Sequence, residues 1–225
     1  MSEPRAPQVA IVDFGLGNLF SVSQACRRVG LTARITEQRA DVLGAQALIL
    51  PGVGAFGDAM AALARLDLLG AIGDFAASGR PLLGICLGMQ LLMAQSLEFG
   101  SHAGLGLIGG DVVHLGQPRE GDRRLKVPQV GWNRIEPPPG GDWRGSLLEG
   151  LEPGEFMYFV HSFYCRPADP GLVLTQTDYG QVRFCSGLSQ GNITACQFHP
   201  ERSGQAGLTI YRNLAARLGV GAGRA

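Results

Sequence analysis

The sequence contains no long apolar run, no excess of either charge and no paired cysteine motif. No stretch approaches the roughly 18 consecutive apolar residues of a transmembrane helix, and residues 1–7 lack the apolar centre of a secretory signal peptide. The 19 basic and 19 acidic residues are dispersed along the chain, so nothing favours nucleic acid or an anionic membrane as the main partner. These absences argue against membrane insertion, secretion and nucleic-acid binding.

The cysteines are odd in number and widely spaced. They are Cys26, Cys86, Cys165, Cys185 and Cys196. No two of them form a C-x-x-C pair, so neither a disulfide framework nor a zinc site is expected, and a reducing cytoplasm is the expected location. We expect no metal and no cofactor.

Short apolar runs typical of buried strands alternate with helical patterns in the first hundred residues. The predicted strands are residues 8–14, 33–36 and 47–50 and a run from residue 81, and the predicted helices are residues 21–29 and 56–69, the latter extended by 71–77. Later strands follow one another with little helix, until a closing helix at residues 208–218. We predict an α/β fold with a single open, mostly parallel central sheet, helices on both faces and an antiparallel C-terminal part. One domain is expected over residues 8–219, with loose termini at 1–7 and 220–225.

The pattern Gly-Ile-Cys-Leu-Gly at residues 84–88 joins the fourth strand to a predicted helix over residues 89–94. Glycines two places either side of Cys86 suit a sharp strand-to-helix turn, the cysteine counterpart of the G-x-S-x-G nucleophile elbow. Such a turn places the sulfur at a helix N-terminus, where the helix dipole and unpaired N–H groups favour the thiolate over the thiol. Cys86 is therefore a candidate nucleophile. The alternative is a buried structural cysteine between packing glycines.

A cysteine nucleophile needs a base, and the base needs an orienting group. The chain has four histidines, His102, His114, His161 and His199. His199 directly follows a predicted strand at residues 193–198, at the edge where α/β active sites gather. Side chains two apart on an extended segment point the same way, so Glu201 can orient the imidazole of His199. The alternative is an ordinary strand-end histidine beside an exposed glutamate.

A second glycine turn, Pro-Gly-Val-Gly at residues 51–54, also follows a strand and precedes a helix. Backbone N–H groups of Gly52 and Val53 could join that of Leu87 in an oxyanion hole, which stabilises the charge that develops during acyl transfer. A phosphate-binding loop is the competing interpretation, but the G-x-x-x-x-G-K-[ST] pattern and a nearby lysine are missing. A simple packing turn stays open.

The cysteine elbow, the glycine turn and the downstream Gln-Phe-His-Pro-Glu at residues 197–201 together resemble the class I (triad) glutamine amidotransferases. More narrowly, residues 13–22, 51–60, 130–133 and 158–164 resemble the branch formed by the glutaminase subunits of imidazole glycerol phosphate synthase. The likeness spans about residues 9–218. It implies a flavodoxin-like α/β fold. It also implies hydrolysis of L-glutamine to glutamate and ammonia by a Cys86–His199–Glu201 triad, through a thioester.

The resemblance also implies which residues bind glutamine. Gln90 and Glu98 would help to hold the substrate, and His161, Ser162 and Phe163 would contact its α-amino and carboxylate end largely through backbone. Without the resemblance, Gln90 and Glu98 are equally ordinary helix and surface residues. Ser162 is then an ordinary strand-end serine.

In that branch the ammonia passes to a separate cyclase subunit, a (β/α)8 barrel that makes imidazole glycerol phosphate and an aminoimidazole carboxamide ribotide in histidine biosynthesis. The resemblance implies that Asn18, Lys126 and Trp132 face this partner in a heterodimer and that Tyr158 lies near the ammonia exit. Trp132 is alternatively a core residue, and Asn18 and Lys126 are alternatively plain surface residues. Gln129 departs from the histidine common in the family.

Three other functions stay open at this point. The same glutaminase chemistry could serve another synthase, such as an anthranilate, guanylate or pyridoxal phosphate enzyme. A cysteine peptidase or redox sensor could carry a similar elbow, and a regulatory subunit could have a dead site. The Val-Gly-Trp-Asn turn argues against the first, Glu201 against the second and the intact triad against the third.

Overall fold

The computed structural model describes residues 8–220, so the expected loose terminus at 1–7 and all but Val220 of the one at 220–225 lie outside the described residues. The helices are α1 (Leu19–Arg28), α2 (Arg39–Gly44), α3 (Phe56–Arg65), α4 (Leu69–Ala77), α5 (Leu87–Leu91) and α6 (Gly204–Arg217). The strands are β1 (Val9–Val12), β2 (Ala33–Thr36), β3 (Ala47–Leu50), β4 (Leu82–Ile85), β5 (Met93–Ser96), β6 (His102–Ala103), β7 (Ile108–His114), β8 (Arg119–Glu120), β9 (Arg123–Arg124), β10 (Gln129–Arg134), β11 (Phe156–His161), β12 (Phe163–Pro167), β13 (Val173–Tyr179), β14 (Val182–Gln190) and β15 (Ile193–Cys196). Within residues 8–220, no helix has the length and apolar character needed to cross a bilayer.

One large sheet holds most of these strands, in the order β2-β1-β3-β4-β15-β14-β12-β7-β5-β6, with β13 paired to β14. Its half from β2 to β15 is parallel, whereas β15, β14, β12 and β7 pair antiparallel. The predicted fold class, a parallel α/β sheet with an antiparallel C-terminal part, is confirmed. Strand β11 lies outside this sheet, because it pairs with β10 in a separate antiparallel ribbon.

The parallel half is buried on both faces, which explains its nearly continuous apolar strands. Successive side chains of a strand point to opposite faces. In β1, Ala10 and Val12 therefore pack with α2, α3 and α4, while Val9 and Ile11 pack with α1 and α6. All four side chains are fully buried, and this double cover holds the carboxyl ends of the strands in fixed positions.

The helix predicted at residues 89–94 is wrong beyond Leu91. The chain leaves α5 there, and β5 pairs parallel with β7 instead. No breaker stands at this point, so the backbone is decided by strand pairing and by the complete burial of Met93. The helical region predicted at residues 56–77 is divided into two helices, α3 and α4. Asp67, whose φ is 56°, lies between them.

Candidate active site

Three neighbouring strands bring the candidate residues to one edge of the sheet. β3, β4 and β15 lie side by side and parallel, so their carboxyl ends meet. The glycine turn at residues 51–54 follows β3, Cys86 follows β4, and His199 lies three positions after β15. The structure therefore brings together the nucleophile, the base and the turn that the sequence motifs predict.

Cys86 occupies a sharp turn with a strained backbone. Its φ and ψ are 54° and −110°, a combination that non-glycine residues rarely adopt and that is enriched at functional sites. A Cβ at Gly88 would lie 1.7 Å from the Leu50 carbonyl oxygen, and one at Gly84 would lie 3.1 Å from the Cβ of Ala195. A side chain is therefore impossible at Gly88 and crowded at Gly84, which explains the glycines on both sides of the nucleophile.

The helix after the elbow lies earlier in the chain than predicted and is short. α5 has five residues, and a helix of this length contributes only a small dipole. Stabilisation of a negative charge on the Cys86 sulfur therefore depends more on the neighbouring side chains.

His199 and Glu201 form the orienting pair that the sequence predicts. His199 Nδ1 lies 2.8 Å from Glu201 Oε1, and both side chains are buried. The geometry differs from the predicted extended segment, because Pro200–Arg202 forms a 3₁₀ turn that brings the carboxylate to the ring. Ser203 holds this turn: its hydroxyl donates to the His199 carbonyl at 2.6 Å and accepts from the Tyr158 N–H at 3.0 Å.

Opposing effects set the charge of His199. Burial disfavours the imidazolium, but the Cys86 thiolate and the Glu201 carboxylate favour it more strongly and raise the pKa of His199 to about 10. Nε2 makes no well-formed hydrogen bond, yet it lies close enough to the sulfur for this attraction. At neutral pH His199 is therefore an imidazolium, and a positive charge beside the sulfur favours the thiolate, the reactive form of a cysteine nucleophile.

We expect Cys86→Ser to lower the pKa of His199 from about 10, because the variant removes the negative sulfur while leaving Glu201 in place. Titration of ¹³C- or ¹⁵N-labelled imidazole by NMR measures the change. Cys185→Ser, which replaces another buried cysteine, is the matched control and should leave the His199 titration in place. An unchanged titration in Cys86→Ser would show that the sulfur does not hold the imidazolium.

The glycine turn directs a carbonyl, rather than its N–H groups, toward the elbow. The Leu87 N–H donates to the Gly52 carbonyl at 3.3 Å, and the Val53 N–H donates to the Leu16 carbonyl at 3.4 Å. The Gly52 C=O and Val53 N–H belong to one planar trans peptide and point in opposite directions. Rotation of that peptide would free the Leu87 N–H from the Gly52 carbonyl. It would also turn the Val53 N–H toward the elbow. The oxyanion role of Gly52, Val53 and Leu87 stays a prediction that requires this rotation.

Gln90 and Glu98, both expected to bind substrate, have defined contacts near the elbow. Gln90 Nε2 donates to the Phe163 carbonyl at 3.0 Å and to Gln197 Oε1 at 3.1 Å. Glu98 Oε2 accepts from the Phe56 N–H at 2.7 Å, at the start of α3 just beyond the glycine turn. Gln90 thus lies inside the site and Glu98 beside the turn, while their roles toward glutamine stay predictions.

His161 is a neutral, buried part of the site. Burial lowers its pKa to about 4, so the ring carries one N–H at neutral pH. Nδ1 lies 2.9 Å from the Phe163 carbonyl, which only accepts, and therefore holds the proton. Gln129 Oε1 stands 3.2 Å from Nε2, and because the unprotonated Nε2 can only accept, we infer that the carboxamide is turned so that its nitrogen donates to the ring. Gln129 thereby holds the ring, and the adjacent Ser162 is held by its carbonyl, which accepts from the Leu115 N–H at 2.8 Å.

The side chains expected to face a partner are exposed, and Trp132 is linked to the site through Tyr158. Trp132 is 56% exposed and meets Tyr158 edge-on, with ring centroids 5.9 Å apart, so the alternative of a core tryptophan is wrong. The Arg202 guanidinium stacks 4.2 Å from the centre of the Tyr158 ring. Asn18 and Lys126 are both exposed.

Exposed apolar side chains occur on several segments around the site. Phe20 lies in the first turn of α1, Val53 follows β3, Val130 and Trp132 lie on β10, and each is at least 40% exposed. Single exposed apolar residues are ordinary, but a group around one site marks an interaction surface. We call these four residues the docking face.

Comparison with known proteins decides the family. The sequence profile of the class-I glutamine amidotransferases matches residues 10–217. The chain belongs to this family. The imidazole glycerol phosphate synthase subunit HisH of Rhodopirellula baltica is 47% identical over 207 residues, which cover 92% of this chain and 96% of that protein. The HisH subunit of Syntrophotalea carbinolica is 46% identical over 209 residues, covering 91% and 98%. The chain is a glutamine amidotransferase, as the motifs imply.

Solved structures share the amidotransferase fold. The crystal structure of a glutamine amidotransferase superposes with a TM-score of 0.71 at 20% identity, covering 95% of this chain and 100% of the other. PurLQS from Thermotoga maritima gives a TM-score of 0.70 at 19% identity, covering 95% and 99%. At these identities the likeness establishes the fold alone.

The sequence motifs do not single out two side chains of the site, Gln197 and Ser203. Gln197 Nε2 lies 3.6 Å from Cys86 Sγ. A signal for it exists, because Gln197 precedes His199 by two positions at the end of a strand, and such side chains share a face. Ser203 acts on backbone groups across a tight turn, and no sequence pattern reveals that contact.

Proposed function

We propose that the chain is the glutaminase subunit of an imidazole glycerol phosphate synthase, which hydrolyses L-glutamine and supplies the ammonia to a separate cyclase subunit. The convergence of Cys86, His199 and Glu201 at one sheet edge carries the proposal. Identities of 47% and 46% to two HisH subunits, over nine-tenths of the chain, support the choice of synthase.

Acylation begins from the ion pair. The Cys86 thiolate attacks the side-chain amide carbon of glutamine, and the carbonyl oxygen becomes an oxyanion. The Nε2–H of His199 then protonates the amide nitrogen, the C–N bond breaks, and ammonia leaves a γ-glutamyl thioester behind. Glu201 keeps the ring oriented and Nδ1 protonated throughout.

Thioester formation prepares His199 for the second step. The sulfur is now neutral, so the negative charge that raised the pKa of His199 is gone and the pKa falls. The imidazole, left neutral by the first step, accepts a proton from water while the water oxygen attacks the thioester. The C–S bond breaks, glutamate leaves, and the thiolate–imidazolium pair is restored.

We assign glutamine binding to Gln90, Glu98 and the segment from His161 through Ser162 to Phe163. The Phe163 carbonyl accepts from both Gln90 and His161, which fixes the backbone of this segment next to the elbow. The Glu98 carboxylate suits the α-ammonium group of an amino acid, because charge-assisted hydrogen bonds are the strong ones.

We assign partner contact to the docking face together with Asn18, Lys126 and Tyr158, in a heterodimer with a (β/α)8-barrel cyclase. The Tyr158 ring lies 6.5 Å from that of His199 and 5.9 Å from that of Trp132. It is therefore adjacent both to the group that releases ammonia and to an exposed residue of the docking face. Ammonia formed at His199 would leave past Tyr158 into the partner.

We place this heterodimer in the cytoplasm. All five cysteines are free and buried, and a chain with this number of unpaired thiols suits a reducing compartment.

Reconstitution with a cyclase subunit tests the proposed function. The complex should form imidazole glycerol phosphate from the cyclase's ribonucleotide substrate and glutamine, whereas the cyclase alone should require added ammonia. Cys86→Ser in the same complex is the control, and it should lose glutamine-dependent synthesis while keeping ammonia-dependent synthesis. Productive assembly with an anthranilate or guanylate synthase subunit, and none with the cyclase, would contradict the proposal.

A further inference from the structure

A buried carboxamide touches the sulfur of the nucleophile. Gln197 is fully buried, and its Nε2 lies 3.6 Å from Cys86 Sγ. A carboxamide nitrogen donates hydrogen bonds and does not accept them. We propose that Gln197 is a further catalytic residue, whose N–H stabilises the Cys86 thiolate and aims it at the substrate. The inference rests on the proposed glutaminase function for its role in turnover, but its effect on the thiolate can be measured without glutamine.

Strand register places the two residues together. Cys196 of β15 pairs with Ile85 of β4, and the Cys86 N–H donates to the Cys196 carbonyl at 2.8 Å. Cys86 and Gln197 are the residues that directly follow these two strands. The Gln197 N–H also donates to the Ser186 carbonyl of β14 at 2.9 Å. The backbone of Gln197 is therefore anchored to the sheet, and its side chain is directed by the sheet rather than by a loop.

The neighbours of Gln197 decide which end of its amide faces the sulfur. Gln90 Nε2 lies 3.0 Å from the Phe163 carbonyl, which can only accept, so the amide nitrogen of Gln90 must stand there. Its second hydrogen is donated to Gln197 Oε1 at 3.1 Å. The oxygen of Gln197 is thereby fixed on Gln90, and its NH₂ group is left to face Cys86. Gln90 is accordingly a positioning residue for Gln197.

Burial strengthens the hydrogen bond that the Gln197 side chain donates to Cys86. Gln90, Gln197 and Cys86 are at most 6% exposed, and a hydrogen bond to a charged group is stronger in such a low-dielectric site. A thiol is a weak acceptor, whereas a thiolate is a strong one, so the N–H favours the charged form. The short α5 contributes little dipole, which increases the share carried by side chains.

Other groups around the sulfur also affect its protonation. His199, following β15, supplies the imidazolium. Cys165 of β12 and Cys196 of β15 both interact with Cys86, and burial raises the pKa of each thiol well above its usual value. These two thiols are therefore neutral at working pH and do not compete with Gln197 for the thiolate.

The pH dependence of Cys86 alkylation in the full-length chain tests the inference. Iodoacetamide is added without glutamine or partner, and peptide mass spectrometry follows the label on Cys86. Gln197→Met keeps the size but removes the donor. We expect it to move the pH midpoint of alkylation up by about one unit, a roughly tenfold loss of thiolate. Gln197→Glu adds a negative charge and should move the midpoint further. Gln90→Met, which leaves the Gln197 amide unoriented, should move it less.

A control variant removes a half-buried amide far from the sulfur. Asn192→Ala deletes hydrogen bonds to the Ala76 and Arg80 carbonyls at the opposite end of β15, so the midpoint should stay in place. Folding of each variant is followed by thermal unfolding, and Gln197→Glu serves if Gln197→Met does not fold. Wild-type midpoints in the folded Gln197 variants would overturn the inference.

Turnover separates the inference from the proposed function. In the reconstituted complex, Gln197→Met should lower kcat for glutamine roughly tenfold with little change in KM, because the lost interaction is with the nucleophile. A shifted alkylation midpoint in a protein that does not hydrolyse glutamine would uphold the role of Gln197 toward the thiolate and refute the glutaminase assignment. An unshifted midpoint with normal glutamine turnover would refute the role of Gln197 toward the thiolate and uphold the glutaminase assignment.

Discussion

Cys86→Ser should lower glutamine hydrolysis by the reconstituted complex on the order of 10⁴-fold or more. The serine hydroxyl stays protonated where the thiolate was charged, so the attack on the amide carbon is lost. The variant should also lower the pKa of His199, because it removes the negative sulfur, and this would leave less imidazolium to protonate the departing ammonia. Release of glutamate at saturating glutamine measures the effect.

Cys185→Ser provides the matched control for this loss. Cys185 is buried in β14, and its Sγ donates to the Gly187 carbonyl at 3.3 Å, a bond that a serine hydroxyl can also make. This variant should hydrolyse glutamine at close to the wild-type rate. If Cys86→Ser remained comparably active, the nucleophile would have to be sought elsewhere.

Docking of the cyclase loaded with its substrate should accelerate glutamine hydrolysis on the order of 10²–10³-fold over the isolated chain. In the resting turn the Leu87 N–H is occupied by the Gly52 carbonyl and the Val53 N–H by the Leu16 carbonyl, so neither is free to bind the oxyanion. A partner that rotates the Gly52–Val53 peptide would supply two donors that act on the transition state. The gain should therefore appear in kcat rather than in KM.

Glutamate release is compared in the isolated chain, in the complex and in the complex with the cyclase substrate bound. Trp132→Ala is the control for docking. It removes an exposed anchor of the docking face and should weaken the complex while leaving the slow rate of the isolated chain in place. Equal rates in all three states would mean that the resting turn is already competent.

The parallel half of the fold was predictable because its strands are buried on both faces. The predicted bounds at residues 33–36 and 47–50 coincide with β2 and β3. β5 was not predictable in this way, since Met93–Ser96 continues a run of good helix formers. Its strand conformation comes from pairing with β7, which lies more than ten residues further along the chain.

The chemistry of the site was predictable, but its fine geometry was not. A cysteine, a histidine and a glutamate that follow strands indicate the triad, because each of these side chains has a distinct role in acyl transfer. The contact of Gln129 with His161 arises from the β10–β11 register, which no local pattern displays. The direction of the Gly52 carbonyl depends on one peptide rotation, and the residues of the turn are compatible with either state.

Hydroxylamine trapping tests the central claim, hydrolysis of glutamine through a thioester on Cys86, most directly. Hydroxylamine competes with water for the acyl-enzyme, so the intermediate need not accumulate. The wild-type complex should convert glutamine partly to γ-glutamyl hydroxamate at the expense of glutamate, and Cys86→Ser should form neither product. Glutamate formation that hydroxylamine does not divert would contradict the mechanism.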